Sequence, residues 1–231
     1  MYRRAAQFRM SRMAGMTLSK FDCLIFLSAL VAVGLSAFGG PPALFFVFKP
    51  LTTILILAYA WQRGSGLAQR RWILAGLLAS LAGDIALLWP QQGFLPGLVS
   101  FLVAHLCYLW AFTRVQRLAA WPWAFLAYGL LAGFILSRLW AGVPAPLQGP
   151  VVVYVLCLSA MGAQSLVLAK RSFTPGNRVL ALGGLLFVIS DACLATNKFA
   201  GPQPLAALLV LPAYWAAQWC IASWLAPAAR D

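Results

Sequence analysis

Two aspartates, Asp84 and Asp191, sit deep inside apolar runs of a chain with only four acidic residues and no glutamate. Asp84 lies in LAGLLASLAGDIALLW and Asp191 in LALGGLLFVISDACLAT. An ionised carboxylate at membrane depth is expensive, so it faces a protein interior or a water-filled cavity and serves a function there. Two carboxylates in unlike surroundings can divide acid and base work, one holding a proton while the other steadies a cation or activates water. The two segments also repeat one another. A shift of 107 residues sets Gly76 on Gly183, Leu78 on Leu185, Asp84 on Asp191 and Leu87 on Leu194.

A second group of polar residues lies within the same apolar frame. It comprises Lys49, His105, Tyr108, Tyr154, Ser190, Lys198, Tyr214 and Gln218. Helical spacing puts Phe94, Gly97, Phe101, His105 and Tyr108 on one stripe, and Gly183, Phe187, Asp191, Leu194 and Lys198 on another. Each has a plainer reading beside the functional one. The Phe/Gly/Tyr stripe reads as packing, and His105 reads equally as a hydrogen-bonded core histidine. Lys49 alternatively neutralises an aspartate, and Lys198 alternatively snorkels to the interface. Tyr154 and Gln218 read as helix–helix hydrogen-bond partners. Gly76, Ser80 and Gly83 share a face suited to close helix approach beside Asp84. The five cysteines fall within spans without CxxC spacing and read as small packing residues.

The elements that carry these residues follow from composition. At 63% hydrophobic, 9% charged and mean hydropathy +0.86, the 231 residues exclude a soluble globule. The expected fold is all-α, a transmembrane bundle of eight spans in a single domain, 1–231. The spans are Phe21–Phe38, Leu44–Trp61, Trp72–Trp89, Phe94–Thr113, Trp121–Trp140, Val151–Leu168, Val179–Thr196 and Pro204–Leu225. Long unalternating runs exclude a barrel. The duplicated aspartate suggests a four-plus-four parallel repeat, since an even number of spans per half keeps both halves in one orientation.

Charge gives the orientation. Arg3, Arg4, Arg9, Arg12, Lys20, Arg63, Arg70, Arg71, Arg114, Arg117, Lys170, Arg171, Arg178 and Arg230 fall on one side, against Arg138 and Lys198 on the other. That split puts both termini in the cytoplasm. The net charge of +13 therefore meets anionic lipid headgroups, and nucleic acid is not expected as a partner. The basic 1–20 segment precedes a run of about 18 apolar residues with a poor cleavage site, so it reads as preceding a retained helix. In this topology Asp84 and Asp191 both lie roughly 8 Å below the outer edge. Lys49, Tyr154 and Lys198 share that level, with His105 nearer mid-depth. The protein is expected to be multi-pass, in the inner membrane if bacterial.

In order along the chain, Lys49-Pro50, Gly83-Asp84, F-x2-G-x3-F-x3-H-x2-Y from Phe94 to Tyr108, Tyr154, Met161, G-x3-F-x2-S-D-x2-L-A from Gly183 to Ala195, and Tyr214-x3-Gln218 resemble the YhhN family of membrane proteins. The family includes the mammalian lysoplasmalogenases. The resemblance implies hydrolysis of the vinyl ether bond of a lysoplasmalogen to a fatty aldehyde and glycerophosphoethanolamine or glycerophosphocholine. That chemistry needs a proton donor to carbon, a stabiliser of the oxocarbenium ion and a base for water. Asp84 and Asp191 are the expected pair, with acid and base unassigned between them. The remaining polar residues are expected to bind substrate or tune the pair, and no metal or cofactor is expected. The rival class is a small-molecule or proton-coupled transporter with the aspartates as coupling sites.

Overall fold

The computed structural model describes residues 20–225, with the side chain of Ala207 outside the description. The basic N-terminal stretch before Lys20, and both chain ends used for the orientation above, lie outside the described residues. Among the described residues, eight α-helices and one short 3-10 turn make up the helical structure. They are α1 (Lys20–Phe38), α2 (Pro42–Trp61), α3 (Arg70–Ala86), α4 (Phe94–Thr113), α5 (Pro122–Leu139), α6 (Ala145–Arg171), α7 (Pro175–Phe199) and α8 (Ala206–Ser223). The 3-10 turn, Trp140–Gly142, follows α5.

Proline sets several of the boundaries. It lies in the opening positions of α2, α5, α6 and α7, where its fixed φ suits a helix and no N–H is needed. In α7 the start is sharpened by Thr174, whose hydroxyl accepts the Asn177 backbone N–H at 3.2 Å. This carries the helix four residues upstream of its expected start at Val179. Helix α6 likewise begins at Ala145 instead of Val151, because Pro150 falls in its second turn and is tolerated there. Helix α3 stops early, at Ala86. Leu88 and Trp89 bond three residues back, to Ile85 and Ala86, and Pro90 then disfavours helix in the residue before it.

Six of these helices are long and apolar enough to cross a membrane: α1, α2, α4, α5 with its 3-10 turn, α6 and α7. Helix α3, at 17 residues, and α8, whose apolar part is Leu208–Ser223, fall below that length. The outward faces are apolar, with Leu27, Leu30, Val103, Leu106, Leu130, Phe134 and Leu156 all exposed, as suits a lipid solvent. This is a multi-pass membrane protein by build.

Packing runs from helix to helix in chain order with one interruption. Successive pairs pack from α1 to α4 and from α5 to α8, and α4 packs on α6, α2 on α8 and α1 on α8. Helices α4 and α5 are not a packed pair among the described residues. Helix α6 is the most enclosed of the six long helices and α5 the least. The α3–α4 seam is tight because Gly76 backs onto the Tyr108 ring and a Cβ at Gly83 would stand 2.6 Å from Phe101.

Candidate active site between the two aspartates

Asp84 is 2% exposed near the C-terminal end of α3. Its Oδ2 accepts two hydrogen bonds, from the Thr53 hydroxyl at 2.6 Å and from the Tyr214 hydroxyl at 2.8 Å. The Trp215 indole N–H donates to the Thr53 oxygen at 3.2 Å. A helical threonine ordinarily bonds a backbone carbonyl one turn back, as neighbouring Thr52 does with Phe48 at 2.9 Å. Thr53 is diverted from that habit to the carboxylate. With the indole occupying its oxygen, its one hydrogen is committed to Asp84. Lys49, one turn before Thr53 on α2, is buried and lines the same cavity as Asp84, without a direct hydrogen bond or ion pair among the described residues.

Asp191 differs. It is half-buried, on α7, and its carboxylate accepts one hydrogen bond, from the Tyr154 hydroxyl of α6. Both aspartates line one cavity, with the polar side chains of Lys49, Ser190, Asn197, Lys198 and Tyr214. Lys198 stands at the end of α7 with its ammonium 4.8 Å from the centre of the Phe94 ring, a cation–π contact. Ser190 is turned to the Val210 carbonyl at 3.0 Å, tying α7 to α8.

A second cavity adjoins the first. Its lining is apolar apart from Tyr154, Ser159 and Asp191, and it is built largely by Leu98, Ala132, Ile135, Leu136, Val155 and Leu158. Leu87, Phe94, Phe101, Asp191 and Leu194 line both cavities. Of the two aspartates, Asp191 alone is on that shared wall; Asp84 faces the polar side.

Rings fill the space beneath. Tyr154 meets His105 edge-on at 5.3 Å, His105 meets Phe187 at 4.6 Å, and Phe187 meets Tyr214 at 5.6 Å. An aromatic chain thus runs from the donor of Asp191 to the donor of Asp84. His105 is wholly buried in this chain, neither of its nitrogens finds a partner among the described residues, and it lines neither cavity. Tyr108 and Gln218 lie outside the cavities too, joined by a 2.6 Å bond from the Tyr108 hydroxyl to Oε1 of Gln218.

Of the residues singled out in the sequence, six therefore meet in one cavity: Lys49, Asp84, Ser190, Asp191, Lys198 and Tyr214. Tyr154 opens onto the adjoining one, and His105, Tyr108 and Gln218 are packed behind the wall. Sequence reasoning missed Thr53 and Trp215. Thr53 had a signal, lying four residues after Lys49 and so on the same helical face.

Residues 44–225 match the profile of the YhhN family. The lysoplasmalogenase TMEM86B of Sus scrofa is 36% identical over 178 residues, covering 73% of this chain and 69% of its own. TMEM86B of Homo sapiens, also a lysoplasmalogenase, is 32% identical, over 74% of this chain and 70% of its own. A lysoplasmalogenase of Mycobacterium bovis is 31% identical, over 73% and 64%. No solved structure matches.

Proposed function

The chain belongs to the YhhN family, and from that premise we propose that it is a membrane-embedded hydrolase of the vinyl ether bond of lysoplasmalogens, worked by Asp84 and Asp191. The products are a fatty aldehyde and glycerophosphoethanolamine or glycerophosphocholine. The observation that carries the reading is the position of Asp191 on the wall common to a polar and an apolar cavity. A lysoplasmalogen is polar at one end and apolar at the other, with the vinyl ether at the junction. Held with its headgroup among Lys49, Asn197 and Lys198 and its chain in the apolar chamber lined by α4, α5, α6 and α7, it brings that junction to Asp191. The relatives named lysoplasmalogenase support the same substrate class.

The reaction divides between the carboxyls. Asp191, beside the apolar chamber, gives its proton to the carbon of the double bond remote from oxygen, and the adjoining carbon becomes an oxocarbenium ion. Asp84, met by two hydroxyl donors on one oxygen and sharing its cavity with Lys49, is the carboxylate that steadies the cation. Water adds to the cationic carbon and loses a proton to the carboxylate of Asp191. The resulting hemiacetal breaks to aldehyde and the free glycerol hydroxyl, so one water is consumed per bond. Acid–base groups so placed contribute about 10²–10⁴-fold each.

The architecture we propose with it is eight crossings in a four-plus-four parallel repeat. Two long-range contacts support this: α4 on α6 and α2 on α8 are the same pairing displaced by four helices. In a bacterial cell the inner membrane is the expected site, with the cavity towards the outer leaflet. Purified protein given 1-alkenyl, 1-alkyl and 1-acyl lysophospholipids tests the activity. Aldehyde from the alkenyl lipid alone is the expected result, and no aldehyde from any overturns it. Counterflow of the same lipids in proteoliposomes without cleavage would establish the carrier instead.

A further inference from the structure

The apolar chamber is roofed by an unusual helix. Helix α5 contributes Ala132, Ile135, Leu136 and Leu139 to the lining, and α4 contributes Phe94, Leu98 and Phe101, yet the two helices are not a packed pair among the described residues. Their facing side chains have the chamber between them. Helix α5 packs on α6 instead, with a close contact towards each end. Towards its start, the Tyr128 ring lies over α6 at Gly162, where a Cβ would stand 2.5 Å from the ring. At its far end the 3-10 turn rests on α7, with Gly142 against the Phe199 carbonyl. Between those points its inward residues Ala132, Ile135 and Leu136 are only partly buried, although they face the bundle.

Length decides what such a chamber can hold. Its lining runs along α7 from Val188 to Phe199, eleven residues apart, roughly 16 Å of helix. A lipid chain extended through one leaflet spans roughly 15 Å, half the hydrocarbon core. The chamber is therefore long enough for one chain, and the unpaired α4–α5 side is the route to it lined with apolar groups.

We propose that the gap between α4 and α5 is a lateral port for one aliphatic chain. The chain of a single-chain ether lipid slides in from the bilayer beneath α5, so that it lies in the chamber beside Asp191. This rests on the reading of the substrate as a lysolipid and adds the path by which it arrives. It follows that the site distinguishes one chain from two, because the chamber takes a single chain.

Photolabelling tests the port without relying on catalysis. The probe is a 1-alkyl lysophosphatidylcholine with a diazirine near the middle of its chain, which carries no vinyl ether to cleave. Protein in nanodiscs is illuminated with the probe and its labelled residues are mapped. Label concentrated on Leu98, Ala132, Ile135 and Leu136, and lowered by about tenfold or more in Ala132→Trp, is the expected result, since the added ring fills the chamber. Leu136→Trp is the second variant should Ala132→Trp not fold, judged by its thermal unfolding. Label spread as strongly over Leu27, Leu30 and Leu78 on other outward faces, or unchanged by both substitutions, overturns the port. Chamber labelling together with a protein that releases no aldehyde sustains the port and removes the hydrolase reading. Aldehyde release with dispersed labelling does the reverse.

Discussion

Asp84 and Asp191 occupy matching places in two similar stretches of sequence, yet their surroundings diverge. Asp84 is closed off, with two hydroxyl donors on one oxygen, an indole fixing the first donor and a lysine sharing its cavity. Asp191 is half-buried, held by one tyrosine, and borders a chamber of aliphatic side chains. The difference teaches that a repeated carboxylate need not mean a repeated role. One environment complements a fixed negative charge, and the other leaves a carboxyl poised between a polar pocket and a hydrocarbon one.

The largest expected effect comes from removing either acid. Asp84→Asn and Asp191→Asn should each lower kcat by about 10²–10⁴-fold, the usual worth of a positioned acid or base, while the protein still elutes as a folded species in detergent. Aldehyde release at the wild-type rate in either would break the pairing.

The hydroxyl donors sharpen the contrast. Tyr154→Phe strips Asp191 of the one hydrogen bond that steadies the negative charge it develops as its proton leaves, and a bond to a charged group is worth about 1.5–3 kcal/mol, or roughly 10–150-fold in rate. Tyr214→Phe and Thr53→Val each leave Asp84 one donor, so each alone should fall below about tenfold, with the two combined reaching the size of Tyr154→Phe. Steady-state kcat with KM read separately checks this, and Thr53→Ser should restore the rate because it keeps the hydroxyl. Equal losses for Tyr154→Phe and Tyr214→Phe would erase the difference between the two aspartates.

The smallest expected effect is at Trp215, which touches Asp84 only through Thr53. Trp215→Phe should lower kcat about two- to fivefold, the worth of a neutral hydrogen bond of about 0.5–1 kcal/mol, with little change in KM. A loss as large as that of Thr53→Val would mean the indole does more than orient the hydroxyl.

Much of this was legible in the sequence because membrane depth is simple arithmetic. Charge in apolar runs is rare, so Asp84 and Asp191 stood out, and counting along each span set them and Lys49 near one level. Helix α4 occupies the predicted residues, 94–113. What depth does not give is azimuth. His105 and Tyr108 lie on the predicted stripe, but that stripe turns into the bundle core, with His105 packed between rings and Tyr108 bonded to Gln218. Thr53 and Trp215 were passed over for the converse reason. Threonine and tryptophan are common in apolar helices, and only the approach of α2 and α8 to α3 makes them partners of a carboxylate.

The central claim is that the two aspartates act as one unit on one bond. The direct test is aldehyde release by the double variant Asp84→Asn/Asp191→Asn beside the two single variants, all confirmed folded. Groups that work together are strongly non-additive, so the double variant should be about as slow as the slower single. If the two losses instead multiply as independent sites, or if the double variant keeps measurable turnover near wild type, the shared site is refuted.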